Sequence, residues 1–279
     1  MNSLQGKCTK FPKVISELGI NGTCYLTSVS CLSPFAGGSL VHVGDEIHLV
    51  DEHGKVVHVT KNEAPEPSKP APEKSGWIAY AYWNNNGPHP IKSFRSDWYL
   101  PPDPATNHGQ LLYLFNGITP SDLSTILQPV LQWGVSPAGG GQFWGVASWY
   151  VTGTSAFHTK LARINRPHQF LRGIITLTGS GSGKYNYVCY FAGIPHTTLT
   201  LTGSPQLVWA ANTLESYAVQ TGTDYPRGST TFFDIYLRTA HGVPSVTWTP
   251  ISDAPDNIFT TVNRQGASNA RVTVKYPTP

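Results

Sequence analysis

Two stretches of the chain place polar side chains inside otherwise apolar, strand-like runs. In TILQPVLQWG (125–134), Gln128 and Gln132 are four residues apart, so in a strand both amides point to one face. That face is either ligand-facing or solvated, and Pro129 between them predicts an edge strand, a kink or a bulge. In QLVWAANTLESYAV (206–219), Asn212 and Glu215 sit among apolar and aromatic residues, and Glu215 is the only glutamate after residue 75. Burial in such a strand raises a carboxyl's pKa by removing its hydration, as an acid-base group requires.

Other chemistry is poorly supported. The run GSGSGK (179–184) lacks the phosphate-loop register and no helix follows it, so it reads as a hairpin turn. Its central residue is Gly181, so it is no nucleophile elbow either. The ten histidines show no HxH or HExxH spacing in the large C-terminal region, and neither a metal nor another cofactor is expected.

The elements that must carry these residues are strands. The chain of 279 residues has 27 Gly, 23 Pro and one Met, with 13% charged residues, a turn-rich and strand-rich composition. All eight tryptophans lie beyond residue 76, in runs such as IAYAYW, SFRSDWYL, QLLYLFNGI, FWGVASWYV, YNYVCYFAG and TTFFDIYLR, each bounded by Gly, Pro, Asn or Ser. About a dozen such runs predict an all-β, two-sheet antiparallel sandwich of jelly-roll type over 76–279. PSDLSTI (120–126) is the one candidate helical turn. The proline-spaced NEAPEPSKPAPEKS (62–75) reads as an extended linker. Ahead of it, residues 1–61 read as a small segment, a structural extension or a propeptide-like arm that leans on the larger domain or is loosely ordered, in which EIHLV (46–50) and KVVHV (55–59) predict a hairpin.

The net charge of +3 includes no basic run, so neither nucleic acid nor an anionic membrane is expected as a partner. Without an apolar leader the chain reads as cytoplasmic, or as secreted if a signal sequence has been removed. Cys8, Cys24, Cys31 and Cys189 match no zinc or redox spacing and read as free thiols, one local disulfide, or a link to Cys189. Oligomeric state is not legible.

Three short motifs resemble the glutamic peptidases of fungi, the eqolisins: ILQ at 126–128, the WxxxxxES pattern from Trp209 to Ser216, and the strand ASWYV. The resemblance implies a concanavalin A-like sandwich and an acid endopeptidase acting on a peptide. Gln128 matches the family's glutamine, whose amide polarises the carbonyl and stabilises the oxyanion, while a carboxylate activates water. By the family's spacing the catalytic glutamate falls at Asn212 and a second acidic position at Glu215; a residue near Ser148 replaces another expected glutamate. Gln128 and Glu215 are therefore the candidate catalytic pair. The alternative is a lectin or inactive binding protein on the same scaffold. Trp98, Trp133, Trp144, Trp149, Gln132 and Asn212 would then hold a peptide or glycan through ring faces and amides. A glycosidase with paired carboxylates fits poorly, because the large region has one glutamate.

Overall fold

The computed structural model describes residues 30–31, 38–62, 76–153 and 155–277. Cys8, Cys24 and all of the proline-rich stretch but Asn62 lie outside them, and of Cys31 only the backbone is described. The strands are β1 (Ser30–Cys31), β2 (Ser39–Val43), β3 (Glu46–Val50), β4 (Val56–Lys61), β5 (Gly76–Asn84), β6 (Ile91–Tyr99), β7 (Leu111–Thr119), β8 (Thr125–Ser136), β9 (Gly139–Thr152), β10 (Ser155–His158), β11 (Ala162–Arg163), β12 (Phe170–Gly181), β13 (Lys184–Phe191), β14 (Leu199–Ser204), β15 (Trp209–Tyr217), β16 (Ser229–Thr239), β17 (Thr249–Ile251), β18 (Phe259–Arg264) and β19 (Ala270–Lys275).

They form two sheets, mostly antiparallel. The first runs β1-β10-β9-β8-β7-β15-β5-β17, with β11 paired to β9; the second runs β18-β19-β16-β6-β12-β13-β14-β2-β3-β4. The fold is the expected two-sheet β-sandwich. Leu112, Leu114, Ile118, Leu127 and Leu131 of the first sheet and Phe94, Trp98, Leu171, Ile175 and Phe232 of the second belong to one buried cluster between the layers. Side-chain alternation explains the layering: β19 alternates buried with exposed or half-buried residues, as a sheet with one solvated face must. In β7 and β15, by contrast, every residue is buried. The first sheet thus carries a second apolar cluster on its outer face, including Leu111, Tyr113, Phe115, Val130, Ala147, Trp149 and Tyr217.

Two local expectations change. Residues 120–124 form a turn instead of a helical turn, with Leu123 at φ 57°, and the chain enters β8 at Thr125. Pro129 sits in β8 between two neighbours, β9 and β7, not at an edge. It is tolerated because the β7 pairing runs through Phe115↔Val130 and Ile118↔Leu127 and skips the level of Pro129, where proline has no N–H to give. The segment ahead of the linker packs on the larger part. Its hairpin forms as β3 and β4, but β2 pairs in parallel with β14, through Thr200↔Ser39 and Leu201↔Leu40, and covers an edge that would otherwise be open. Leu40, Ile47 and Leu49 join the main core, so residues 39–61 share it with the strands beyond the linker.

His42 of β2 makes the deepest polar contact of this graft, a 2.8 Å hydrogen bond between its Nε2 and the Tyr150 hydroxyl. Burial, helped by the nearby Lys184 charge, lowers its pKa to about 4. A histidine depressed in the folded state stabilises the fold above its unfolded pKa near 6.5 and loses that contribution as pH falls toward 4. The loss approaches about 3 kcal/mol by pH 4. Urea unfolding from pH 7 to pH 4 is therefore expected to show His42→Gln losing less stability than wild type by most of that amount; parallel pH profiles would contradict it.

Candidate functional site

Strand parity divides the polar residues of the first sheet between its two faces. In β8, Gln128 and Gln132 alternate with the core residues Leu127, Leu131 and Trp133, so both amides lie on the outer face with Val130. In β15, Glu215 shares parity with Tyr217 on the same outer face, whereas Asn212 shares parity with the core residues Ala210 and Leu214. No bulge in β15 is needed to bring Glu215 there: its register with β7 is regular from Trp209↔Thr119 to Tyr217↔Leu111.

Register then fixes which residues are level with one another. Continuing the β7–β8 register between Phe115↔Val130 and Ile118↔Leu127 sets Gly117 level with Gln128, and a Cβ on Gly117 would lie 2.8 Å from Ile126 Cδ1 and 3.3 Å from the Gln128 Cβ. Following the ladders outward, the Gln128 row reads Trp149, Gln128, Gly117, Ala211 and Tyr82. The Glu215 row reads Gly145, Gln132, Tyr113, Glu215 and Trp77. Gln128 and Glu215 are thus two strands and four residues apart, about 16 Å between Cα atoms at ordinary strand spacing and rise. That is too far for one water to bridge them. The residue that faces Gln128 across Gly117 is Ala211, not Asn212, and no carboxylate stands in that row.

Each candidate has its own surroundings. Gln132 is committed to the β8–β9 turn: its Nε2 donates to the Gly134 and Gly139 carbonyls at 2.9 and 2.8 Å, and its Oε1 accepts from Ser136 Oγ at 2.7 Å. Glu215 is 5% exposed and accepts hydrogen bonds from the Tyr217 hydroxyl and the Trp77 side chain. Burial pushes its carboxyl up to about 7, against those hydrogen bonds, which favour the charged form. Gln128 and its cross-strand neighbour Trp149 are buried, and the Gln128 Oε1 and the Trp149 Nε1 have no hydrogen-bond partner among the described residues. One acceptor and one donor therefore stand unpaired side by side, a costly arrangement in a buried site.

The remaining candidates face the other way. Asn212 lies between the sheets, where its Oδ1 accepts from Ser96 Oγ at 2.5 Å. Trp98 packs against Phe191 and Phe232, and Trp133 against Trp144, within the core. These four side chains sit on the inner side of the sandwich, away from the face of Gln128; parity in their own strands puts them there.

The wall next to this face is built from residues outside the sequence-derived candidates. Trp77, Tyr80 and Tyr82 of β5 are half-buried and mesh with Trp209 and Phe115: Tyr82 stacks on Trp209 with centroids 5.2 Å apart, and Trp77 meets Phe115 at 5.5 Å. The alternating aromatics of AYAY were the available signal. A shift in the β5–β15 register between Leu214 and Glu215 brings Trp77 onto the same face. Among the described residues no three His, Cys, Asp or Glu side chains converge as a metal site.

A carboxyl raised from its ordinary 4.5 to about 7 leaves the folded protein holding more protons than the unfolded chain between those values. Stability from this group is full below about pH 4.5 and is lost as pH rises through about 7, roughly 3 kcal/mol in all. Glu215→Gln is expected to be more stable than wild type at pH 8 and equal to it at pH 4. Denaturant titrations that give the same difference at both pH values would rule out a buried, raised Glu215.

No protein-family profile and no curated protein matches the chain. Among solved structures, it is similar to scytalido-glutamic peptidase with a peptide-based transition-state analogue, at 14% identity over 73% of this chain and 99% of that one, TM-score 0.47. It is also similar to SCP-B, a member of the eqolisin family of peptidases in complex with the tripeptide Ala-Ile-His, at 12% identity over 73% and 99%, TM-score 0.48. A Bacillus licheniformis β-glucanase aligns at 11% identity over 97% and 100%, TM-score 0.29.

Proposed function

We propose that this chain is a glutamic-peptidase-like protein that holds an extended polypeptide on the outer face of its first sheet without cutting it. The observation that carries this reading is the unpaired couple in the Gln128 row. A peptide group offers one N–H and one C=O, which are the partners that Gln128 Oε1 and Trp149 Nε1 lack. Gly117 and Ala211 are themselves buried, and the Ile126 side chain lies over Gly117, so a peptide reaches this row by displacing Ile126. The half-buried wall of Trp77, Tyr80 and Tyr82 adds apolar surface for side chains on the β5 side. Hydrolysis by a glutamine and a carboxylate needs the base within about one water of the amide. The Gln128 row supplies none.

A second reading rests on Glu215 alone. A carboxyl with a pKa of about 7, held by Tyr217 and Trp77, has the acidity of a general acid or base near neutral pH. Cleavage by this group would belong to the Gln132 level of the face, not to Gln128.

The two readings separate in one experiment with reduced, carboxymethylated lactalbumin as the unfolded probe. Binding is expected by isothermal titration at pH 6 to 7, weakened about tenfold by Trp77→Ala or Tyr82→Ala, with no new fragments after incubation from pH 2 to 7. Fragments that appear with wild type and vanish with Glu215→Gln would establish the second reading. Absence of both binding and cleavage would overturn both.

A further inference from the structure

The outer face of the second sheet carries a feature that neither packing nor the proposed function employs. Tyr99 is 54% exposed and Phe170 45% exposed, although both are large aromatics at paired positions of β6 and β12. Phe233 of β16 completes a triangle of rings, with centroids 5.4 Å from Tyr99 and 6.3 Å from Phe170; Tyr99 and Phe170 are 6.0 Å apart. Single exposed aromatics are ordinary, but a contiguous, polar-rimmed cluster marks a binding surface.

The rim is built. Asp97 holds the Arg172 guanidinium through two hydrogen bonds of 2.7 and 2.6 Å. Asp234 reaches Arg95 at 2.6 Å and Arg172 at 3.4 Å. Asp234 sits at φ 44°, in an irregularity of the β16–β6 register between Phe233 and Tyr236, so a local backbone distortion aims its carboxylate across the two arginines. The side chains of Arg95, Arg172 and Asp234 are each about one-third exposed, leaving donors and acceptors open to solvent. The Arg172 guanidinium also lies over the Phe170 ring, 5.4 Å from its centroid.

We propose that this surface binds a neutral oligosaccharide. The C–H faces of pyranose rings stack on exposed aromatic rings, and their hydroxyls both donate and accept, matching paired guanidinium and carboxylate groups. The charges of Arg95 and Arg172 are balanced by Asp97 and Asp234, and Arg238, over the Tyr236 ring that Arg95 also covers, adds one exposed positive charge, which gives a polyanion little net attraction there. A stable protein partner would need about 800 Å² on each side, several times what three half-exposed rings offer. The ligand is therefore small, a few sugar units spanning the triangle.

The test is isothermal titration of the full chain with laminarihexaose, cellohexaose and chitohexaose. At least one is expected to bind, and the double variant Tyr99→Ala/Phe170→Ala to weaken it at least about tenfold. Asp234→Ala should weaken it too, while Val135→Ala, at another exposed position, leaves it unchanged. The double variant should stay folded, with a cooperative thermal transition only a few degrees below wild type, since each ring is about half exposed. Failure of all three sugars, binding indifferent to the double variant, or sedimentation showing a dimer that the double variant dissociates would each overturn the proposal. The last would mean that a second copy covers the rings.

Discussion

Burial of the first sheet on both faces is the constraint from which the site follows. In β7 and β15 no residue is exposed, so a polar side chain there, or in the adjoining β8 and β9, can draw partners only from the side that strand parity assigns to it. Asn212, assigned inward, finds Ser96. Glu215, assigned outward, finds Tyr217 and Trp77 and keeps its proton to about pH 7. Gln132 finds the carbonyls of the adjoining turn. Gln128 and Trp149 each keep one unpaired atom on the outer face, while Asn116 Oδ1 and Asn212 Nδ2 stay unpaired on the inner one. The inner side is as tight: a Cβ on Gly173 of the second sheet would lie 2.3 Å from the Asn116 Oδ1, so the polar groups of the core and the glycine facing them depend on each other.

What a sequence can disclose about such a sheet stops at the single strand. The apolar and aromatic runs located the strands of the sandwich, and a spacing of four put Gln128 and Gln132 on one face, because parity is a property of consecutive residues. Level across the sheet is not. Nothing in TILQPVLQWG or WAANTLES tells that Ala211, not Asn212 or Glu215, ends up level with Gln128, since that depends on two ladders through β7. The tryptophans show the same limit: Trp98, Trp133 and Trp144 were attractive as ligand platforms by type, yet parity in their strands points them into the core. Ala211 and Gly117 carry no chemistry and were invisible for that reason, although together they decide what the face can do.

The pairing of the segment ahead of the prolines is illegible for a different cause. A hairpin is local and was legible, but the parallel pairing of β2 with β14 joins residues some 160 positions apart and leaves no mark in either. Its consequence reaches the chemistry of the fold. Protonation of the buried His42 weakens the sandwich as pH falls toward 4, whereas protonation of Glu215 strengthens it over much of the same range. The acid range that suits a peptidase with a carboxylate base is thus one in which this fold loses support from β2.

The central claim, that Gln128 and Trp149 wait for a peptide group, is open to direct observation by nitrogen-15 NMR of their side chains. Adding an extended peptide to the full chain should shift the Trp149 indole N–H downfield as its Nε1 donates to a carbonyl, and should shift the Gln128 amide with it. The Trp133 and Trp144 indoles, inside the core, should not move. A peptide that binds while the Trp149 and Gln128 signals stay in place would contradict the account.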